Sequence, residues 1–295
     1  MTISSDSQIL RECAFGIVDP AMVEYLPKGL STESLVPKKL TQSAHLMPVL
    51  IDLKRTSADR LNVLFEGLDE SCRWGEPPSI TIFIKTNNSV TEIARHWNAM
   101  QIAESQRGQK LWLRLHDPRV LHQMLRILSP MQRRKLFGLS QALIYWVGEA
   151  WVTAMREPGA EPSSQDRKNV EVAPYAGPPK WDWSRIERIG LVNRALLGAG
   201  IKGVSALTIH GALAEQLIER AVRRHMLSEP VDLVEFAVRG LQTTPVFDEC
   251  HDVARAIRPD ANSSNDSNLA DRFALIDERI WESLRQPIPS SGDAK

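Results

Sequence analysis

The stretch Ile80 to Met100, ITIFIKTNNSVTEIARHWNAM, contains both a strand pattern and a helix start. Its first five residues are mostly β-branched, with prolines before the run and two asparagines soon after it, which is typical of a buried strand. Ser89 and Glu92 have the spacing of a capping box, and apolar residues then recur every three to four positions. The stretch therefore predicts a strand followed by an amphipathic helix.

The same order of elements occurs on both sides of this stretch. Upstream, residues 49–53 form a short apolar run, and a helical apolar stripe follows between Leu61 and Cys72. Downstream, leucines alternate with more polar residues over positions 111–116, and Asp117 with Pro118 is a typical helix start. Because strands that alternate with helices usually have crossover connections, we predict an α/β fold with a mainly parallel sheet flanked by helices.

The second half of the chain has helical apolar spacing and no strand pattern, which predicts an all-helical C-terminal lobe at residues 182–286. Between the two halves, five prolines and a polar cluster predict a linker at residues 156–181. The α/β domain then covers residues 1–155. The last residues, 287–295, are predicted to be a disordered tail.

Composition and charge narrow the class of protein. The 36 basic residues balance 36 acidic ones, which weighs against nonspecific binding to a polyanion. Cys13, Cys72 and Cys250 lie far apart, so they predict neither a disulfide framework nor a zinc site, and a reducing cytoplasm fits best. The N-terminus lacks the apolar core of an export signal, and the longest uncharged run is too short to cross a membrane. We expect a cytoplasmic protein with no membrane partner.

Motifs for chemistry are weak. Gly198, Gly200 and Gly203 match GxGxxG, but a predicted helix precedes them where a dinucleotide site needs a strand. His116 and His122 are six residues apart, which does not suit two metal ligands on one helix face. The sequence therefore predicts no cofactor, no metal and no catalytic set.

One charge anomaly stands out. Residues 107–135 contain eight basic side chains and one acidic side chain, Asp117. These charges are interpreted as solvated helix faces or as a surface for an acidic protein partner, because Trp112 is the only aromatic in the stretch and nucleic-acid binding calls for stacking aromatics. The candidate basic patch consists of Arg107, Lys110, Arg126, Arg133, Arg134 and Lys135.

Residues 111–125, LWLRLHDPRVLHQML, resemble the signature of the type VI secretion effector adaptor or chaperone family, the Tap/TEC proteins with their VasW-like domain of unknown function. Earlier segments resemble the family in the same order, and the resemblance covers about residues 46–146. These earlier segments are an apolar strand that ends in an aspartate, a helix with a Leu-Phe-x-Gly element and a helix that contains a histidine. The residues that match are Asp52, His96, Arg114, Asp117, Pro118 and Arg119.

The resemblance implies a non-enzymatic cytoplasmic adaptor that binds a secreted toxin effector and helps load it onto the VgrG spike protein. It implies no cofactor. For Arg114, Asp117 and Arg119, direct partner contact and a purely structural corner are both open. Two other functions are kept as alternatives: an α/β enzyme with a site at the strand ends near Asp52, Thr86 and Asp117, and a nucleic-acid-binding protein that uses residues 107–135.

Overall fold

The computed structural model describes residues 5–104, 108–157, 181–258 and 267–285. The chain divides into two compact units, Met1–Ile186 and Glu187–Lys295, which are described separately. The predicted linker lies almost wholly outside the described residues, and the predicted tail at 287–295 lies entirely outside them.

The first unit combines a sheet with helices. Its strands are β1 (Phe15–Val18), β2 (Thr32–Ser34), β3 (Val49–Asp52), β4 (Ile80–Lys85), β5 (Ile102–Glu104), β6 (Lys110–Trp112), β7 (Ala142–Val147) and β8 (Ala150–Met155). Its helices are α1 (Ser5–Arg11), α2 (Ala58–Arg73), α3 (Val90–Met100), α4 (Pro118–Ile127) and α5 (Pro130–Phe137), with 3₁₀ turns at Pro20–Tyr25 and Thr41–Leu46. Helix α6 (Trp183–Glu187) ends at the boundary between the units.

Six strands form one sheet in the order β2-β3-β1-β4-β7-β8, and every pairing in it is antiparallel. The predicted α/β class is confirmed, but the mainly parallel arrangement is wrong. Strands β3 and β4 do run in the same direction, as a connection through α2 suggests. However, β1 lies between them and pairs antiparallel with both. Strand β1 thus separates β3 from β4, which the sequence pattern predicted to be neighbours.

Helices cover both faces of the sheet, which explains why β1 and β7 are buried along their whole length. On one face, Phe83 and Ile144 pack against Phe65 and Leu68 of α2. On the other face, α4 lies on β7, where His122 contacts Tyr145. Uninterrupted apolar runs therefore arise here in an antiparallel sheet, because neither face is left to solvent.

The third predicted strand, over residues 111–116, is mostly wrong. Strand β6 ends at Trp112 and, among the described strands, pairs with β5 alone in a separate two-stranded sheet. The N–H of Leu113 still donates to the carbonyl of Gln101 at 2.7 Å, and the N–H of Leu115 donates to Leu113 at 2.8 Å as the chain turns. The alternating leucines therefore reflect a buried turn leading to α4 rather than a strand of the main sheet.

In the second unit, every regular element of the described residues is helical, as predicted. Aromatic rings form the centre of its core: Phe236 and Phe247 lie 4.8 Å apart, and Phe273 and Trp281 lie 5.4 Å apart. The helices are α7 (Ile189–Gly198), α8 (Val204–His225), α9 (Pro230–Gln242), α10 (His251–Ile257), α11 (Leu269–Ala274) and α12 (Glu278–Leu284), with a 3₁₀ turn at Phe247–Glu249.

Candidate functional site

The chain passes from β6 into α4 through residues 114–119, which we call the Asp117 corner. Asp117 caps α4: its Oδ1 accepts hydrogen bonds from the backbone N–H of Arg119 at 2.9 Å and from its Nε at 3.0 Å. Its Oδ2 accepts one from Arg119 Nη2 at 2.8 Å, and Pro118 occupies the first helical turn. Burial would raise the pKa of Asp117, but the hydrogen bonds and charge of Arg119 outweigh it and hold the pKa below its ordinary value.

His116 supports this corner from inside. Its ring is buried, stacks on Trp112 with centroids 5.7 Å apart, and places Nε2 3.7 Å from Asp19 Oδ2. The hydroxyl of Thr81 donates to the His116 carbonyl at 3.4 Å, and Arg114 lies over the other member of the stack, Trp112, at 5.8 Å. Burial lowers the pKa of His116. The corner is thus packed against the residues that follow β1 and begin β4.

His122 and Tyr145 connect α4 to β7, a pairing that the sequence did not reveal. The Tyr145 hydroxyl lies 3.1 Å from His122 Nδ1, and both side chains are buried. Burial raises the pKa of Tyr145 to about 12, and burial with the nearby Arg126 charge lowers the pKa of His122. His116 and His122 therefore face different partners, Asp19 and Tyr145.

Asp52 ends β3 and shapes the turn into α2. Its side chain is buried, and Oδ1 accepts the backbone N–H of Arg55 at 3.1 Å. Its carbonyl accepts the hydroxyl of Thr56 at 2.8 Å. The neighbouring Lys54 reaches across to the carbonyl of Thr86, beyond the end of β4, at 3.2 Å. Asp52 thus organises the turn, and Lys54 links that turn to the end of β4.

His96 of α3 packs against the turn between α5 and β7. Its Nε2 donates to the carbonyl of Leu136 at 2.9 Å, which requires the tautomer protonated at Nε2. The ring lies against Gly138, whose φ of +54° is unusual for other residues. Burial lowers the pKa of His96, and the hydrogen bond to Leu136 only partly offsets this effect.

Polar contacts extend this arrangement along the same turn. Thr86 donates its hydroxyl to the carbonyl of Leu139 at 2.9 Å, and the Asn88 amide donates to the same carbonyl at 3.1 Å. The residues between α5 and β7 are therefore held by α3 and by the segment that precedes it.

The strand registers place the signature residues at opposite ends of the sheet. Phe15 pairs with both Asp52 and Ile84, so Asp52 and Thr86 lie at one end, which we call the Asp52 end. Val18 pairs with Ile80 at the other end, which we call the Asp19 end.

The Asp117 corner belongs to the Asp19 end through the contacts of His116 with Thr81 and Asp19. The candidate enzyme site near Asp52, Thr86 and Asp117 is therefore not brought together, because β6, which leads to Asp117, does not join the main sheet beside β3 and β4.

The basic stretch is also divided. Lys110 lies on the β5–β6 hairpin, whereas Arg134 and Lys135 lie on α5, next to the turn that His96 contacts. Arg126 donates to Gln123 at 2.7 Å, and Arg133 donates to the Leu128 carbonyl at 3.1 Å. Arg107 lies outside the described residues. The structure thus distributes these charges over three elements, β6, α4 and α5, instead of one continuous helix face.

A buried charge cluster in the second unit was missed from the sequence. Asp248 Oδ2 accepts from Arg220 Nε at 2.8 Å and lies 2.7 Å from His225 Nε2, and its side chain is fully buried. The adjacent Glu249 is half exposed and pairs with Arg220 at 2.9 Å and Arg224 at 3.1 Å. These contacts fix the 3₁₀ turn against the C-terminal end of α8.

Two further observations concern candidate cofactor and membrane sites. Gly198, Gly200 and Gly203 join α7 to α8, so the glycine motif lies between two helices, as the sequence pattern indicated. Within the described ranges, no three His, Cys, Asp or Glu side chains are grouped so that they could hold a metal ion. Over the same ranges, none of the helices has the length and apolar character needed to span a bilayer.

Comparisons with known proteins give one match. No curated protein and no solved structure matches the chain. A family model described as "Domain of unknown function (DUF4123)" matches residues 16–135, which include every signature residue from Asp52 to Arg119. The matched region runs from β1 through most of α5, and it stops before β7 and β8.

Proposed function

We propose that this protein is a cytoplasmic, non-enzymatic adaptor that binds a type VI secretion effector and promotes its loading onto the VgrG spike. The observation that carries the proposal is the family match over residues 16–135, which covers the stretch where the adaptor signature was identified. The family model's own description names no function, so the role comes from the resemblance of Asp52, His96 and the Asp117 corner to the adaptor family.

The contacts of the signature residues fit a rigid platform. Asp52 shapes the turn after β3, His96 holds the turn before β7, and Asp117 caps α4. Each of these groups fixes a connection between elements, so an adaptor would present its partner with a preformed surface and a low ordering cost.

The exposed basic side chains form the surface at which effector binding is most readily tested. Arg134 is exposed on α5 and has no carboxylate partner among the described residues, whereas Arg119 is paired with Asp117. An acidic segment of the effector would complement such free cations and associate faster through long-range attraction.

The proposal is tested by co-purification and by secretion. Tagged full-length chain is co-expressed with the effector encoded beside its gene, and separately with VgrG, and each is assayed for retention. Deletion of the gene should block delivery of that effector, while an effector from another operon of the same genome is still delivered. Retention of neither protein, together with normal delivery after deletion, would overturn the proposal.

A charge-reversal pair tests the basic surface within the same assay. Arg134→Glu should weaken effector retention, and the loss should be larger at low salt because screening reduces the electrostatic contribution. Arg95→Glu is the matched control, since Arg95 is an exposed arginine on α3 outside the basic stretch. If both variants retain the effector equally, Arg134 is not part of the binding surface.

A further inference from the structure

Strand β8 forms one edge of the six-stranded sheet. A two-residue turn at Gly148 and Glu149, both with positive φ, joins it to β7, and Val147 pairs with Ala150 at the start of the ladder. Near the other end, the N–H of Arg156 donates to the carbonyl of Gln141 at 2.9 Å. Residues of an antiparallel strand alternate in direction, so Ala150, Val152, Ala154 and Arg156 bond to β7.

The residues between them direct their backbone groups away from the sheet. They are Trp151, Thr153 and Met155, and no backbone group among the described residues pairs with their N–H or C=O groups. Thr153 and Met155 are exposed, with 64% of Met155 accessible to solvent. Within the described part of the chain, the edge thus presents a short row of backbone donors and acceptors that no other strand uses.

The opposite edge of the same sheet is protected in ways that β8 is not. Strand β2 has only three residues, includes Glu33, and is followed closely by Pro37 and Lys38. Short length, charge and proline are the usual features that prevent an edge from pairing with another chain. Strand β8 has six residues with an unbroken register to β7, and it contains no charge, proline or glycine.

Strand β8 is also held in place by its side chains. Trp151 packs edge-to-face against Trp146 at 5.4 Å and against Phe83 at 5.5 Å. These contacts anchor the strand to the sheet, so an incoming strand would meet a preformed template. Preorganisation of this kind reduces the entropic cost of binding.

We propose that β8 binds an extended, uncharged segment of the effector, which adds to the sheet as a seventh strand. This inference rests on the proposed adaptor function and names the mode of recognition. The backbone of the segment would pair with Trp151, Thr153 and Met155, and main-chain pairing of this type accepts extended peptides with apolar side chains on the Trp151 side. Proline at a paired position of the segment would be excluded, since it lacks the N–H donor.

A second copy of this chain is a poorer occupant. Pairing of β8 with its own copy would use three outward residues on each side, whereas stable dimers bury about 800 Å² per partner over roughly 20–30 residues. An effector segment on β8 does not have to bury this much area by itself, because other parts of the effector can contact the adaptor at the same time.

The first test uses two substitutions at one position, with the co-expressed effector as the probe. Thr153→Pro removes an outward N–H that the ladder to β7 does not use, whereas Thr153→Val keeps this N–H. Effector binding by Thr153→Pro should be weaker by about tenfold or more, and Thr153→Val should bind as the original chain does. Thermal unfolding of both variants establishes that they fold. Equal binding by two folded variants would overturn the inference.

Amide hydrogen exchange of the original chain gives a second readout that does not depend on a variant. Effector binding should slow exchange at Trp151, Thr153 and Met155 by about tenfold, while Val152 and Ala154 are already protected by β7. Unchanged exchange at the three outward amides would overturn the inference. Protection of these amides in the chain alone, with a dimer mass, would instead assign the edge to a second copy and also overturn it.

The two proposals fail in different ways. If effector is retained but the outward amides do not change, the adaptor function holds and the seventh strand is wrong. If the original chain retains neither effector nor VgrG and delivery is normal after deletion, the adaptor function fails, and the inference about β8 fails with it.

Discussion

The imidazole of His96 lies directly against the backbone of Gly138, so that a Cβ built on Gly138 would come within 2.6 Å of the ring atom Nδ1. The glycine also has a φ of +54°, a region that side-chain-bearing residues rarely occupy. The contact joins the middle of α3 to the turn that begins β7, over a separation of 42 positions in the sequence. A residue of the predicted signature thus depends on a glycine that the sequence pattern did not single out.

Replacement of Gly138 by alanine should destabilise the first unit by roughly 2–4 kcal/mol, since both the backbone strain and the collision with His96 oppose it. Gly75→Ala is the matched control, because Gly75 also has a positive φ but has open space where its Cβ would lie. Urea unfolding followed by circular dichroism measures both. If Gly138→Ala lowers the free energy of unfolding no more than Gly75→Ala does, the collision with His96 does not destabilise the protein.

The stability of the protein should fall as the pH drops below 6.5, the ordinary pKa of histidine. Burial lowers the pKa values of His96, His116 and His122 in the folded state, so the unfolded chain binds more protons in this window. Stability therefore rises with pH through the window and falls on acidification. Urea unfolding at several pH values between 7.5 and 5 measures how the free energy of unfolding changes with pH.

His96→Gln should reduce this pH dependence by removing one titrating group, while the Gln amide can still donate to the Leu136 carbonyl. The control is His251→Gln, since the side chain of His251 is 88% exposed and makes no buried contact. A slope that is unchanged in His96→Gln would contradict the role assigned to His96.

Asp117 is expected to act as a helix cap rather than through its ion pair. Asp117→Ala should cost about 1 kcal/mol of stability, because the N-terminal amides of α4 lose their acceptor. Asp117→Asn should cost less, since asparagine also caps helices and the pair with the exposed Arg119 contributes little. Equal losses for the two variants would assign the effect to the charge instead.

Arg119→Ala separates the structural and partner-binding interpretations of the Asp117 corner. The side chain is 62% exposed, so its removal should change the free energy of unfolding by less than about 0.5 kcal/mol. If Arg119 contacts the effector, retention should fall in the co-purification assay although stability is unchanged. Retention equal to that of the original chain would make the corner purely structural.

Alanine substitution of the two adjacent acidic residues of the second unit, Asp248 and Glu249, should have very different effects on stability. Asp248→Ala should destabilise by roughly 3 kcal/mol, because it leaves His225 and the partly buried Arg220 without their buried carboxylate. Glu249→Ala is the control and should have little effect, since its side chain is half exposed and the same arginine keeps Asp248. Chemical unfolding of both variants provides the comparison, and similar losses would contradict the importance of burial.

Local patterns in the sequence predicted local structure well. The capping box of Ser89 and Glu92 is present, with the Ser89 N–H donating to Glu92 Oε2 at 2.8 Å, and Asp117 caps α4 as its position before Pro118 indicated. Strands β3 and β4 are found within a residue of the predicted apolar runs. These features depend on neighbours within about four positions, which a sequence pattern contains.

Features that depend on distant pairing could not be predicted. The four-residue strand β1 is too short to reveal its central place, and its insertion separates β3 from β4. The pairing of β6 with β5 instead of the main sheet also depends on distant contacts, so the separation of Asp52 from Asp117 was hidden as well. The pairing of His122 with Tyr145 is of the same kind, since 23 positions separate them.

The central position of β1 also constrains the order in which the protein can form during synthesis. This strand is made before both of its sheet neighbours, and the second neighbour is complete only at Lys85. One side of β1 can pair with β3 once residue 52 has been made, but its other side stays unpaired until β4 has left the ribosome. A fragment that begins at residue 46 would never gain that strand, and β3 and β4 would each expose an apolar edge in the middle of the sheet.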